Sequence, residues 1–322
     1  MATDRRADAL NPEAQTVVDL LAAADVPPVN ALSVAGARER MDRLFVPAEE
    51  PEPVADVDEF LLEGADGDDL PVRAYWPADA GDGPHPILVW YHGGGFVLGD
   101  LDSSDAACRA LANACGALVV SVDYRLAPEH TWPAPPEDCY AAAEWACEHG
   151  DRIGGDPDRV GVGGTSAGGN LAAVVSLMAR DYDGPDLDYQ LLVYPSVHND
   201  LRGRMPSYEE NGEGYLLEQA DSEWFHHRYL EHERDAYHPH AFPIQARTLE
   251  GLPPATVVTA GFDPLRDEGF AYAERLEDEG VEVVHRHYDD TIHGFYGMVG
   301  ANELEHARAA IEDTSEDYRR FV

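Results

Sequence analysis

The 322-residue sequence predicts an α/β fold built on a mostly parallel, doubly wound sheet. Short apolar runs typical of buried parallel strands, such as ILVW, ALVVSV and LLVY, recur along the chain. Helical patterns separate these runs, and strands that alternate with helices are joined by right-handed crossovers. Apolar residues make up 44% of the chain, which is enough for a core and argues against global disorder.

Two amphipathic helices, at 11–24 and 32–44, precede the first predicted strand. Asn11 suits the N-cap of the first helix, and Pro12 suits its first turn. Eight strands follow, the first two as an antiparallel hairpin around GADGDD: 57–62, 70–76, 86–91, 117–123, 160–164, 190–194, 255–259 and 281–287. Helices are expected near 103–115, 136–149, 167–180, 217–229, 266–279 and 302–320.

The segment 200–248 interrupts this alternation and is rich in charged, aromatic and histidine residues. We interpret it as an insertion that packs with the N-terminal helices of residues 1–50 to form a cap over the functional site. The catalytic core would then comprise residues 51–199 and 249–322.

The charge of the chain is strongly acidic. There are 62 Asp and Glu residues against 22 basic residues, all of them arginine, and the net charge is −40. Such a surface repels nucleic acids and anionic membranes, which excludes both as partners. Its acidic side chains also repel one another, except in molar salt, where the Debye length falls to about 3 Å. The composition therefore predicts a halophilic protein, whereas an ordinary acidic protein usually retains lysine.

The sequence further indicates a soluble, cytoplasmic protein. No apolar segment follows the arginine pair of MATDRRADAL, so this stretch is not an export signal, and no stretch is suited to span a bilayer. The four cysteines form no CxxC motif and no metal-like spacing with histidine. All four fall in predicted helices, and we expect small buried thiols: Cys108, Cys115, Cys139 and Cys147.

The pentapeptide GTSAG at 164–168 matches the pattern G-x-S-x-G. An apolar strand leads into it and a helix rich in small residues leads out, which is the setting of a sharp strand-to-helix turn. Such a turn presents its serine, here Ser166, above the sheet at the positive end of the helix. A glycine-rich turn without chemistry is the alternative, and the strand–turn–helix context argues against it.

The sequence HGGGF at 92–96 follows another predicted strand. Consecutive glycines allow backbone N–H groups to turn towards the oxygen that becomes negative when an acyl carbonyl is attacked. We therefore predict an oxyanion hole formed by Gly93, Gly94, Gly95 and Ala167, the residue after the nucleophile. A phosphate-binding loop is the alternative, but the chain lacks the lysine of a P-loop. We expect His92 to support the loop.

A base and an acid are expected downstream of the serine, after later strands. Asp263 directly follows the apolar run ATVVTAGF, and His293 lies in a loop between the last predicted strand and the last helix. We predict Asp263 as the acid and His293 as the base. Asp267 and Glu268 are second choices because they fall inside the next helix.

Five other histidines cluster loosely in the segment 200–248: His226, His227, His232, His238 and His240. A metal site among them is an alternative, but their spacing matches no regular ligand pattern. We therefore predict no metal and no cofactor.

Taken together, the motifs resemble the hormone-sensitive-lipase-like (family IV) carboxylesterases of the α/β-hydrolase superfamily. The resemblance runs from about residue 86 to the C-terminus and is carried by HGGGF (92–96), DYRLAPEH (123–130), GTSAGG (164–169) and DPLRDEG (263–269). It implies the α/β-hydrolase fold with a helical cap, Ser166, Asp263 and His293 as the triad, and short-to-medium acyl esters as substrates. It also allows a homodimer. The chain has Thr165 before the nucleophile where many members have Asp.

The expected activity is that of a serine carboxylesterase acting on a small-molecule ester. Amidases, deacetylases and lactonases would use the same residues, and a metal-dependent hydrolase would use the cap histidines. A non-catalytic small-molecule receptor on the same fold is the alternative from another class. Such receptors lack the histidine of the triad, and the presence of His293 argues against one.

Overall fold

Eight strands form one sheet in the computed structural model, which describes residues 5–24, 27–44, 50–79, 81, 83–198, 205–300 and 303–322. The start of the N-terminal segment, the first five residues of the predicted insertion and the first residue of the last predicted helix lie outside these ranges. The strands are β1 (Asp56–Glu63), β2 (Asp69–Trp76), β3 (His85–Tyr91), β4 (Leu118–Val122), β5 (Gly155–Thr165), β6 (Tyr189–Val193), β7 (Ala255–Phe262) and β8 (Val283–Ile292).

The strand order in the sheet is β1-β2-β4-β3-β5-β6-β7-β8. The pairs β1–β2 and β2–β4 are antiparallel, and every pair from β4 to β8 is parallel. Strands β4, β6 and β7 are buried along their whole length, as their continuous apolar sequences predict. The predicted hairpin and the mostly parallel sheet are confirmed.

Helices cover both faces of the sheet. Helices α4, α5 and α8 pack on one face and α3 and α9 on the other, so the sheet is doubly wound as predicted. In the described residues the helices are α1 (Pro12–Ala23), α2 (Val34–Leu44), α3 (Asp105–Cys115), α4 (Ala134–His149), α5 (Ala167–Asp181), α6 (Pro206–Asn211), α7 (Gln219–Tyr229), α8 (Arg266–Asp278) and α9 (Glu305–Phe321). None of them has the length and apolarity that crossing a membrane requires.

The N-terminal helices and the segment that precedes β7 pack against each other. Asn11 caps α1 as predicted, because its side chain accepts a hydrogen bond from the N–H of Ala14. Helices α2 and α7 share an apolar cluster in which Ala37 and Phe225 contact Leu98, beyond the end of β3. This packing is what a cap requires, although the proposed boundaries at residues 50, 200 and 248 stay predictions.

Several predicted boundaries were wrong. Strand β8 runs to Ile292 rather than to residue 287, because it follows β7 through an irregularity in register that pairs Phe262 with Ile292. The two acidic residues at 289–290 are typical of a loop, and they are extended here because β8 pairs with β7. The short helix α6 was not predicted, since six residues carry too little periodicity. Of the four cysteines, all without disulfides, Cys147 is only partly buried.

Candidate active site

Ser166 occupies a sharp turn between β5 and α5. Its backbone has φ 56° and ψ −115°, a left-handed conformation that is strained for serine. Hydrogen bonds from the surrounding loops hold this conformation. The N–H of Ser166 donates to the carbonyl of Val193 (2.8 Å), and its carbonyl accepts from the N–H groups of Asn170 (3.0 Å) and Ser196 (3.2 Å).

The turn is tight enough to require glycine two residues after Ser166. A Cβ atom on Gly168 would lie 1.9 Å from the carbonyl oxygen of Tyr91, at the end of the neighbouring strand β3. Such a contact is far inside van der Waals distance, so the helix could not start here with a larger residue. The G-x-S-x-G pattern therefore follows from the close approach of α5 to β3.

His293 and Asp263 meet Ser166 at the carboxyl edge of the sheet. Asp263 follows β7 and His293 follows β8 directly. The Nδ1 atom of His293 lies 2.7 Å from Oδ2 of Asp263, and its Nε2 atom lies 3.1 Å from Oγ of Ser166. A carboxylate only accepts, so Nδ1 carries the proton, and Nε2 of the neutral ring is free to accept the serine proton.

The carboxylate of Asp263 is fully buried and has a second hydrogen-bond partner besides His293. Its Oδ1 atom accepts a hydrogen bond from the N–H of Leu265 (2.8 Å). The side-chain amide of Asn211, on α6, donates to the backbone carbonyls of Asp263 and Gly261, each at 3.0 Å. The short helix α6 therefore fixes the strand end that carries the acid.

Sequence reasoning missed Tyr194, which packs against the imidazole. Its ring centroid lies 4.6 Å from that of His293, and its backbone has a positive φ of 35°. Burial raises the pKa of its phenol, so the ring is neutral and acts as an apolar wall. A tyrosine after a strand carries no distinctive sequence signal, which is why only the structure identifies it.

The glycine loop presents unused backbone donors. Gly93, Gly94 and Gly95 line the same cavity as Ser166. In the described residues no acceptor receives the N–H groups of these glycines or of Ala167, the first residue of α5. Gly94 has φ 120°, and a Cβ there would lie 2.1 Å from the carbonyl oxygen of Leu98. The loop thus has the free donors that an oxyanion hole needs.

His92 lies beneath this loop. Its ring stacks on Tyr124 with centroids 4.3 Å apart, and its Nδ1–H donates to the carbonyl of Gly93 (2.8 Å). Burial lowers the pKa of His92, so the ring is neutral. These contacts are those of a support for the glycine loop.

A cavity of about 150 Å³ opens over the serine. Its walls are largely apolar, and they come from the core on one side and from the N-terminal segment and the segment around α7 on the other. Representative residues of the core wall are Trp90, Ala107 and Tyr194, and those of the opposite wall are Met41, Leu217 and Phe225. An apolar pocket with a few convergent polar groups is typical of a small-molecule site.

The two rival carboxylates have other partners. Asp267 forms an ion pair with Arg266 (2.9 Å). Glu268 is fully buried and accepts hydrogen bonds from the N–H groups of Val197 and His198, each at 2.9 Å. Burial raises the pKa of Glu268 to about 8. Both carboxylates therefore serve structure around the site, and Asp263 is the one that contacts the imidazole.

The five histidines of the predicted insertion do not converge. His226 is buried against Phe242, with ring centroids 4.8 Å apart, whereas His240 pairs with Asp181 (3.2 Å). Within the described ranges no group of three or more His, Cys, Asp or Glu side chains is arranged to hold a metal ion.

Comparison with known proteins places these features in a family. The α/β hydrolase fold family matches residues 88–297. The chain is 45% identical over 263 residues to the carboxylic ester hydrolase LipN of Mycobacterium tuberculosis, covering 77% of this chain and 69% of that protein. It is 35% identical over 289 residues to an arylesterase of Saccharolobus solfataricus, covering 89% and 92%.

A solved structure agrees with the same assignment. The hyperthermophilic esterase of the archaeon Pyrobaculum calidifontis superposes with a TM-score of 0.89 at 39% identity, covering 97% of this chain and 98% of that one. With a matched fold, matched motifs and these relatives, the chain belongs to the α/β hydrolase family, in the branch that is related to hormone-sensitive lipase.

Proposed function

We propose that this enzyme is a serine carboxylesterase that hydrolyses short-to-medium acyl esters through an acyl-enzyme. The observation that supports it most directly is the alignment of three side chains, with His293 bonded to Ser166 at 3.1 Å and to Asp263 at 2.7 Å. The esterase names of the relatives support the same class of reaction. In this proposal the segments around α2 and α7 form the cap of the site.

In the first half of the reaction, the Oγ atom of Ser166 attacks the ester carbonyl while Nε2 of His293 takes the serine proton. Asp263 keeps the imidazole in the required tautomer and stabilises its cationic form. The carbonyl oxygen becomes an oxyanion and accepts hydrogen bonds from the N–H groups of the glycine loop and of Ala167, each worth about 3–4 kcal/mol in such sites.

When the tetrahedral intermediate collapses, His293 donates its proton to the alkoxide oxygen and the alcohol leaves. The acyl group is then bonded to Ser166. Water attacks this ester with His293 again as the base, and the acid is released as Ser166 recovers its proton. Neither half-reaction requires a metal or an organic cofactor.

We also infer that the enzyme works in concentrated salt. The net charge of −40 and the absence of lysine support this inference, because acidic side chains repel one another strongly only when screening is weak. The homodimer that the family resemblance allows stays a prediction.

The test is a substrate panel measured on the wild type and on Ser166→Ala. We expect p-nitrophenyl acetate to hexanoate to be hydrolysed, the variant to lose at least about a thousandfold in kcat/KM, and circular dichroism to be unchanged. The matched control is Ser176→Ala, because Ser176 lies on the same helix and its hydroxyl donates to the carbonyl of Ala172, one turn earlier. Substantial turnover by Ser166→Ala would refute the assignment.

Two further arms separate the alternatives. Amides and lactones in the same panel identify an amidase or a lactonase, since a faster rate on either would replace the ester assignment. Activity should persist in a chelator, and its loss would favour the metal-dependent alternative.

A further inference from the structure

The wall of the cavity that contains Ser166 includes an arginine that has no charged partner among the residues that the structure describes. Arg40, on α2, lines this cavity together with Met41. Its Nη1 atom donates to the carbonyl of Pro27 (3.0 Å), which is its one hydrogen bond within the residues that the structure describes. Its Nε atom is buried and has no acceptor. Because Nε has almost no accessible surface, Nη2 is the remaining nitrogen that can donate to a ligand, and it has no acceptor among the described residues.

The other arginines of α2 differ from Arg40 in this respect. Arg38 holds Glu129 with two hydrogen bonds, of 2.8 and 2.7 Å, and Arg43 pairs with Glu39. The chain has 62 acidic residues for 22 arginines, so carboxylate partners are abundant. Within the described ranges, Arg40 is the arginine of α2 that has no carboxylate partner.

The one carboxylate in the described lining of the cavity near the cap is already engaged. Oδ1 of Asp221 accepts from the backbone N–H and the side-chain amide of Asn30, at 2.8 and 2.9 Å, and Oδ2 accepts from the N–H of Glu218. Asp221 thus joins α7 to the N-terminal segment. It forms no ion pair with Arg40 within 4.0 Å.

Arg40 is half-buried, so its guanidinium has fewer water contacts than a fully exposed one, and a carboxylate partner would stabilise it. The N–H groups of Nη2 can donate to a carboxylate oxygen, and hydrogen bonds between a guanidinium and a carboxylate are among the stronger polar contacts in proteins. We infer that Arg40 binds a free carboxylate of the substrate, so that the preferred esters carry a second, ionised acid group. This inference rests on the proposed esterase function.

The overall charge of the protein opposes this preference at long range. A net charge of −40 repels anionic substrates in dilute buffer, whereas Arg40 acts only at contact. At about 1 M salt the Debye length is about 3 Å, which removes the repulsion and leaves the buried contact largely intact. The preference should therefore be measured in molar salt.

The experiment compares matched esters with and without a carboxylate. In one arm the carboxylate is on the acyl group, and mono-p-nitrophenyl adipate is compared with p-nitrophenyl hexanoate. In the other it is on the alcohol, and the butyrate ester of 3-hydroxybenzoate is compared with phenyl butyrate. For each enzyme the readout is the ratio of kcat/KM for the anionic ester to that for the neutral one.

We expect the wild type to favour the anionic ester by about tenfold or more in one arm. Arg40→Gln should lower this ratio by a similar factor, through KM rather than kcat. Arg40→Lys keeps the charge but lacks the planar edge, and should retain part of the preference. The matched control Arg43→Gln, one turn along α2 and largely exposed, should keep the wild-type ratio.

The outcomes distinguish a failure of the inference about Arg40 from a failure of the proposed esterase function. If the wild type hydrolyses neutral esters but shows no anion preference in either arm, the inference is wrong and the esterase proposal stands. A preference that survives in Arg40→Gln would place the anion elsewhere and overturn the role of Arg40. If the wild type hydrolyses none of the four esters, the proposed function fails and the inference fails with it.

Discussion

The Nε2 atom of His293 lies 3.1 Å from the Oγ atom of Ser166, although 127 positions separate the two residues in the chain. Their strands, β5 and β8, are not neighbours, because β6 and β7 lie between them. The contact forms because parallel strands deliver their carboxyl ends to one edge of the sheet. Ser166 and His293, which directly follow these strands, therefore meet beyond the carboxyl ends of the sheet.

Replacing Asp263 by Asn should lower kcat by about three to four orders of magnitude with little loss of structure. The amide can keep the bond to the N–H of Leu265, but it no longer stabilises the imidazolium of His293. Steady-state kinetics on a p-nitrophenyl ester, with circular dichroism alongside, measure this. The matched control is Asp267→Asn, whose carboxylate serves Arg266 instead. Equal losses in both variants would contradict the assignment of the acid.

Replacing Gly94 by Ala should lower kcat by about a hundredfold or more, because the Cβ would collide with Leu98 and displace the oxyanion donors. The control is Gly116→Ala. Gly116 also has a positive φ, of 65°, but a Cβ there meets nothing within 4 Å. That variant should lose only about 1 kcal/mol of stability and keep its kcat. A normal kcat in Gly94→Ala would mean that the loop does not donate to the oxyanion.

A chain of hydrogen bonds beside the site should make the fold sensitive to acid. Thr259 Oγ1 lies 2.9 Å from Nε2 of His285 and 2.8 Å from Nδ1 of His287, and Nε2 of His287 donates to the carbonyl of Arg5 (2.8 Å). When both rings are neutral, Nδ1 of His287 accepts from the threonine hydroxyl, which in turn accepts from the Nε2–H of His285. Burial lowers the pKa of His285 to about 4 and also lowers that of His287.

Between pH of about 6.5 and 4, the unfolded chain binds a proton at His285 that the folded chain does not. The free energy of unfolding should therefore fall as the pH decreases through this window, by on the order of 2 kcal/mol from this residue. Denaturant titrations at several pH values measure it. His285→Gln should flatten the fall, whereas the control His130→Gln, an exposed histidine, should leave it unchanged. A wild-type stability that does not change with pH would contradict the prediction.

Salt should stabilise the protein between about 0.1 and 1 M, where the Debye length falls to the distance between neighbouring side chains. The net charge is −40, and the Debye length falls from about 10 Å at 0.1 M to about 3 Å at 1 M. We expect the melting temperature to rise across this range of potassium chloride concentration, and an equal osmolality of sucrose to produce a smaller rise. Full stability in dilute buffer would argue for an ordinary acidic protein.

The sheet was predictable because its signals are local. Buried parallel strands such as β6 and β7 read as continuous apolar runs, and the glycines around Ser166 mark a turn that other residues cannot adopt. The end of β8 was not predictable, because pairing with β7 overrides the loop-like character of its acidic residues. Tyr194 was missed since its position against His293 depends on how the ends of β6 and β8 come together in the sheet.

The sequence by itself determined the class of fold, the order of Ser166, Asp263 and His293 along the chain, and the strongly acidic composition. All of these follow from residue type, periodicity and spacing, which are properties of the chain before it folds. Only the tertiary structure decided that Asp263 rather than Asp267 meets the imidazole, and that Arg40 lies in the cavity wall without a carboxylate partner among the described residues. Such choices depend on distances between side chains far apart in sequence, and packing alone determines those distances.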